Sequence, residues 1–163
     1  MGHRGMGTLR SMRALRNDER GANLIEFAIV LPLLVVLLFG VIEASWAFAQ
    51  QNDIRHGARE GARLAAVDFG NVTTIATEVC NRMDVVYPAE TPTVTLTPLG
   101  GSGELGDTAQ ITVSSSPDSL TGVVDALLGS LTMTSTIEFR LEQPVTGPAQ
   151  WWGGGGGGTF TCP

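Results

Sequence analysis

Lysine is absent from this chain, and histidine and cysteine occur only twice each in 163 residues. Each shortage excludes a class of function. Phosphate backbones are gripped by clustered positive charge, so a Lys-free body with a formal net charge of −6 argues against nucleic acid as a partner. His3 and His56 stand far apart in the sequence, which leaves no His-based catalytic or metal cluster, and no cofactor is expected. A phosphate-binding loop needs Lys followed by Ser or Thr after its glycines; the six glycines at 153–158 lack that sequel and read as linker. The acids fall on alternating strand positions as solvated faces, not as a catalytic pair. The chain therefore reads as a non-enzyme, with room for one small folded domain.

What is present is unevenly distributed. Residues 1–21 hold five Arg and two acids, whereas 22–163 hold five Arg and fourteen acids. Between the basic leader and the acidic body lie sixteen uncharged residues, 27–42. As helix they span only ~24 Å, short of a ~30 Å hydrocarbon core, but residues 44–49 extend the run past Glu43. Glu43 then falls near the outer interface and Trp46 in the headgroup belt. Arg4, Arg10, Arg13, Arg16 and Arg20 before the run, against Arg55, Arg59 and Arg63 after it, give a positive-inside bias. The expected orientation is a single-pass cell-membrane protein with a cytoplasmic N-terminus and an extracytoplasmic body. Glu26 is a lone carboxylate at the cytoplasmic threshold of the run, costly unless it finds a partner, and so marks a functional position.

Cys80 and Cys162 both lie on the outer, oxidising side. A disulfide between them closes a loop of roughly 80 residues and contributes ~4.5 kcal/mol by chain entropy. The alternative, a buried thiol at Cys80 with Cys162 unpaired on a loose tail, stays open.

Residues 1–21 read as a basic leader, cleaved from the mature chain. Residues 22–68 form one long helix, embedded in membrane to about 49 and kinked at Pro32. Its later turns carry two rows of small residues, Gly57/Gly61/Ala65 and Ala58/Ala62/Ala66, which let another backbone approach closely. Arg55, Arg59 and Arg63 make a like-charge stripe that calls for outer-leaflet headgroups, the chain's own acidic domain or a neighbouring subunit. It can also be a solvated face partly balanced by Asp53 and Glu60, with His56 pairing to Glu60 across one turn.

Asn71 caps a second helix whose Val72, Ile75, Ala76, Val79, Cys80 and Met83 share a face. Alternation predicts strands at 93–97 and 108–114, joined by a Gly-rich loop, and a third at 131–141. Between them the pattern of Leu120, Val123, Val124, Leu127 and Leu128 predicts a third helix after Asp118 or Ser119, stopped by Gly129. The expected fold class is α+β: a long N-terminal transmembrane helix, then a small extracytoplasmic domain over 69–144. That domain has an antiparallel three-stranded sheet and one or two helices. Residues 145–163, with Trp151-Trp152, read as a flexible Gly/Pro/Trp-rich tail.

The run Arg20-Gly21-Ala22-Asn23-Leu24-Ile25-Glu26-Phe27-Ala28-Ile29-Val30-Leu31-Pro32 resembles the N-terminal signature of TadE-like pseudopilins, minor components of tight-adherence (Flp, type IVc) pili. The pattern is a glycine, four residues, Glu, an aromatic, then an apolar run with an early Pro, and the likeness covers about residues 20–63. The segment 135–142 resembles the family's last strand more loosely. The resemblance implies a pilin-like fold and cleavage by a prepilin peptidase between Gly21 and Ala22. It implies that Glu26, the fifth mature residue, faces the free amine of a neighbouring pilin or minor pilin subunit, with Phe27 and Pro32 also in the assembling helix. It further implies an inner-membrane assembly platform and membrane lipid as partners, residence in the pilus after assembly, and a role in priming or tipping the filament for adhesion or secretion. Two other readings remain: an uncleaved signal-anchor protein with an extracellular binding domain, and a secreted protein cut after Ala49 at Ala47-Phe48-Ala49.

Overall fold

A computed structural model describes residues 18–83, 91–145 and 158–162. Among these, the elements in order are α1 Asp18–Val67, α2 Val72–Asn81, β1 Thr93–Pro98, β2 Thr108–Ser115, α3 Val123–Leu128, β3 Met133–Arg140 and β4 Thr159–Thr161. Most of the leader, and the stretch of the tail holding Trp151 and Trp152, lie outside the described residues. The chain divides into two compact units, Met1–Ile42 and Glu43–Pro163, with the boundary inside α1.

In the first unit α1 is apolar all round from Phe27 to Ile42. Such a helix satisfies its backbone groups internally and leaves no hydrogen-bonding need on its surface, which is what hydrocarbon demands. Every residue from 21 to 42 is exposed, Leu24, Ile29 and Val36 to about 70%. The helix continues through Pro32.

In the second unit α1 becomes two-sided. Ile54, Ala58, Ala62 and Ala65 are buried, as are Gly57 and Gly61, while Arg55, Arg59 and Arg63 remain exposed. The small residues are there because two other elements lie on them. A Cβ on Gly61 would come within 2.5 Å of Val79 in α2 and Ile111 in β2, and one on Gly57 within 2.9 Å of Met83. The rows of small residues thus receive the chain's own domain. Helix α2 buries Val72, Ile75, Ala76, Val79 and Cys80 as its spacing predicts, although Asn71, whose carbonyl accepts the first helical bond from Ile75 N at 3.1 Å, makes no side-chain cap.

The sheet has four antiparallel strands in the order β3-β2-β1-β4, one more than expected. Period-2 alternation sends Val94, Leu96, Ala109, Ile111 and Val113 into the core. Thr93, Thr95, Thr112, Thr134 and Thr136 fall on the other face, where β-branched side chains suit a pleated surface and hydroxyls pair across strands. Thr112 and Thr136, directly opposite in register, are 3.0 Å apart through their hydroxyls.

The additional strand comes from the end of the tail. Thr159, Phe160 and Thr161 pair with Thr95, Val94 and Thr93, and Cys162 N donates to the Pro92 carbonyl at 2.9 Å. Cys80 and Cys162 form a disulfide, with Cα atoms 5.8 Å apart and both residues buried, tying the edge strand to α2.

Helix α3 begins at Val123, later than the periodicity suggests. Gly122 sits at φ +71°, a left-handed conformation that ends the preceding segment and that residues with a Cβ rarely adopt.

Candidate functional site

Two places on α1 hold polar groups in surroundings that need explanation. The first is the start of α1. Gly21, Ala22, Glu26, Phe27 and Pro32 all lie on this helix and all are exposed, with Phe27 at 58%. A Cβ on Gly21 would touch nothing within 4 Å. Glu26 has no hydrogen bond or ion pair among the described residues, and it stands among Leu24, Ile25, Phe27 and Ile29. A charge on an apolar surface is costly unless it finds a partner. The helix is long and apolar enough to cross a membrane.

The second place lies at the first residue of the second unit. Glu43 is 8% exposed. Its Oε2 accepts from Thr121 N at 3.3 Å and from the Thr121 hydroxyl at 3.2 Å, which holds the loop before α3 against α1. Its Oε1 is buried without a hydrogen-bond partner, an arrangement that costs ~1–3 kcal/mol. Around it, Trp46, Gln50, Ser119, Asp125 and Met133 help line a cavity of about 40 Å³. The Asp125 carboxylate accepts from the Ser119 hydroxyl at 2.6 Å and the Ser119 N–H at 2.8 Å. Those two bonds, the hydroxyl's first, hold its pKa below the ordinary carboxylate value.

Glu43 was legible as an anomaly in the apolar run, but its partner was not. Thr121 lies 78 residues away and carries no motif. Gln50 and Asp125 likewise give no signal in sequence, and Ser119 reads there only as a helix start, because only the fold brings them together. Elsewhere, His56 is exposed and makes no ion pair with Glu60 among the described residues, whereas Arg82 and Glu78 pair at 2.8 Å across one turn of α2. Among the described residues no cluster of His, Cys, Asp or Glu could hold a metal ion.

An exposed apolar helix joined to a small α+β domain defines the class: a protein with an N-terminal apolar helix long enough to cross a membrane, followed by a small folded domain. Residues 21–63 match the family model described as TadE-like protein, which is consistent with a TadE-like pilin of the tight-adherence system. The matched stretch opens on Gly21, contains Glu26 and Pro32, and closes on Arg63, ahead of α2 and the sheet. No curated protein and no solved structure matches the chain.

Proposed function

We propose that the chain is a minor pilin, or pseudopilin, of a tight-adherence pilus. A prepilin peptidase cuts it between Gly21 and Ala22 on the cytoplasmic side, and the freed helix enters the filament to prime or tip it for adhesion or secretion. The observation that carries this reading is the family match starting at Gly21, on a helix whose residues 21–42 are all exposed. In this reading 1–21 is the leader, 22–68 the assembling helix, 69–144 the extracytoplasmic domain and 145–163 the tail.

Glu26 then has a defined task. Cleavage creates an ammonium at Ala22, and the carboxylate of one subunit meets the amine of the next in low dielectric. Each group desolvated alone costs several kcal/mol, so the contact is favourable only when both arrive in register. Pairing therefore fixes how subunits stack beside the assembly platform. The Arg-rich leader keeps the N-terminus inside. The Cys80–Cys162 disulfide suits a body facing the oxidising side.

Secretion with cleavage after Ala49 fits less well. It would remove Glu43, Trp46 and Ala47, and with them the acceptor that holds Thr121.

Mass analysis of the N-terminus in the native host tests the proposal. The expected mature start is Ala22, lost when Gly21 is replaced by Leu; a start at Gln50, or a retained leader in assembled pili, overturns it. Glu26→Ala should still be made and cut, but should be missing from sheared pili.

A further inference from the structure

The buried carboxylate of Glu43 stands at a particular height on α1. Residues 27–42 are uncharged and rise ~24 Å as helix, against a hydrocarbon core of ~30 Å. Counted from Glu26 at the inner threshold, about four further residues make up the difference and carry the hydrocarbon boundary to about residue 46. Glu43 therefore lies just within that boundary. Because it follows Ile42 directly, whatever is bonded to its side chain lies at the same height. That is the segment 116–131, whose Thr121 donates to Glu43 Oε2 from its N–H at 3.3 Å and its hydroxyl at 3.2 Å.

The exposed side chains of this segment suit a lipid boundary. Leu120, next to Thr121, is 53% exposed, and Leu131, which lines the same cavity as Glu43, is 47% exposed. Between 115 and 132 there is no Lys or Arg, so contact here is apolar rather than electrostatic. Of the two acids in the segment, Asp125 is bonded to Ser119, while Asp118 is exposed two residues before Leu120. An exposed carboxylate so close by holds the segment at the interface and keeps it out of the hydrocarbon centre. On α1 itself Phe48 is 72% exposed, five residues and ~7.5 Å beyond Glu43. Large aromatics favour the headgroup zone, so that zone reaches further out than the height at which Thr121 is held.

We propose that the 116–131 segment is a second membrane contact of this chain: Leu120 and Leu131 enter the phospholipid leaflet at the Glu43 end of the helix. The proposal rests on residues 27–42 crossing a membrane. Insertion takes both leucines out of water. It also gives Thr121 a task, since its two donors satisfy a carboxylate that would otherwise meet the hydrocarbon edge without a partner. Two leucines make a small patch for a stable protein interface, whereas lipid is present at this height wherever the run before Glu43 spans. The body is thus attached to the bilayer twice, and withdrawal of the chain must break both attachments.

Nitroxide labelling of the full chain in dioleoylphosphatidylcholine vesicles tests this. Labels are placed through Leu120→Cys and, independently, Leu131→Cys, with Val36→Cys inside the run and Glu104→Cys at an exposed position elsewhere in the body. Cys80 and Cys162 are bonded to each other and take no label. Collision with oxygen, which partitions into lipid, should exceed collision with a water-soluble nickel chelate at positions 36, 120 and 131, and the order should reverse at 104. Diluting the protein with lipid should change none of this. The proposal is overturned if 120 or 131 meets the chelate as 104 does while 36 stays in lipid, a result that leaves the spanning helix intact. If 36 also meets the chelate, the span fails and the proposal with it. Shielding of 120 that fades as protein is diluted with lipid makes a second copy the occupant, and this too overturns the proposal.

Discussion

Gly40 and Gly61 lie in the same helix, six turns apart, and an added methyl would meet entirely different surroundings at each. At Gly40 nothing lies within 4 Å; at Gly61, Val79 and Ile111 lie at 2.5 Å. The contrast extends to the whole of α1. From Phe27 to Ile42 its first part is apolar on every side and exposed, the surface of a helix able to cross a membrane. Its second part is filled by elements of its own chain. Small residues on a helix mark a close approach, but they do not say whose backbone approaches. In the second unit the approaching groups are side chains of the chain's own α2, β2 and Met83.

The sharpest way to break that contrast is the disulfide. Replacing Cys80 and Cys162 by Ser removes a link 82 residues apart in sequence. Chain entropy puts the loss near ~4.5 kcal/mol, a large share of the stability of a small domain. Peptide-resolved hydrogen exchange in micelles should show amides of α2 and β1 opening faster, with those of 24–42 unchanged. Equal acceleration in both regions would show that the two units unfold together.

Next in size is the glycine pair. Gly61→Val should destabilise the second unit by about 3 kcal/mol, because two core side chains must move to admit it. Gly40→Val should leave its melting temperature unchanged. A thermal melt of each variant decides the matter, and comparable shifts would erase the distinction between the two parts of α1.

The same two parts show what was legible from sequence. The apolar run, the exposed Glu26 and the alternation of β1, β2 and β3 follow from periodicity, which local residues set. The edge strand β4 did not, because three residues after six glycines are too few to show alternation; its strand character comes from β1 and from the disulfide. The late start of α3 depends on Gly122 and on Thr121 being held by Glu43, a contact across 78 residues. The cap expected from Asn71 failed for the opposite reason: the residue type was right, but its side chain makes no bond to the helix.

The smallest effect expected is acid sensitivity, and it too is confined to the second unit. Gly101, Gly103 and Gly106 take positive φ values of 85–88°, curling the loop so that Asp107 accepts backbone N–H bonds from Ser102 at 2.8 Å, Gly103 at 2.9 Å and Glu104 at 3.0 Å. A Cβ on Gly101 would run into the Asp107 carboxylate, so that glycine is required. These bonds, the Glu104 N–H foremost and then that of Ser102, hold the Asp107 pKa below the ordinary value of 3.8. The folded chain thus binds this proton less readily than the unfolded chain. The resulting stability is complete above the unfolded value, and it is lost as pH falls through the lowered, folded value. Asp107→Asn has no proton to gain, so its melting temperature should fall less steeply than that of wild type between about pH 5 and pH 2.5. The two curves should lie furthest apart near neutral pH and converge in acid. Parallel curves would mean that the loop holds Asp107 no more tightly than the unfolded chain does, and that its glycines serve the hairpin turn alone.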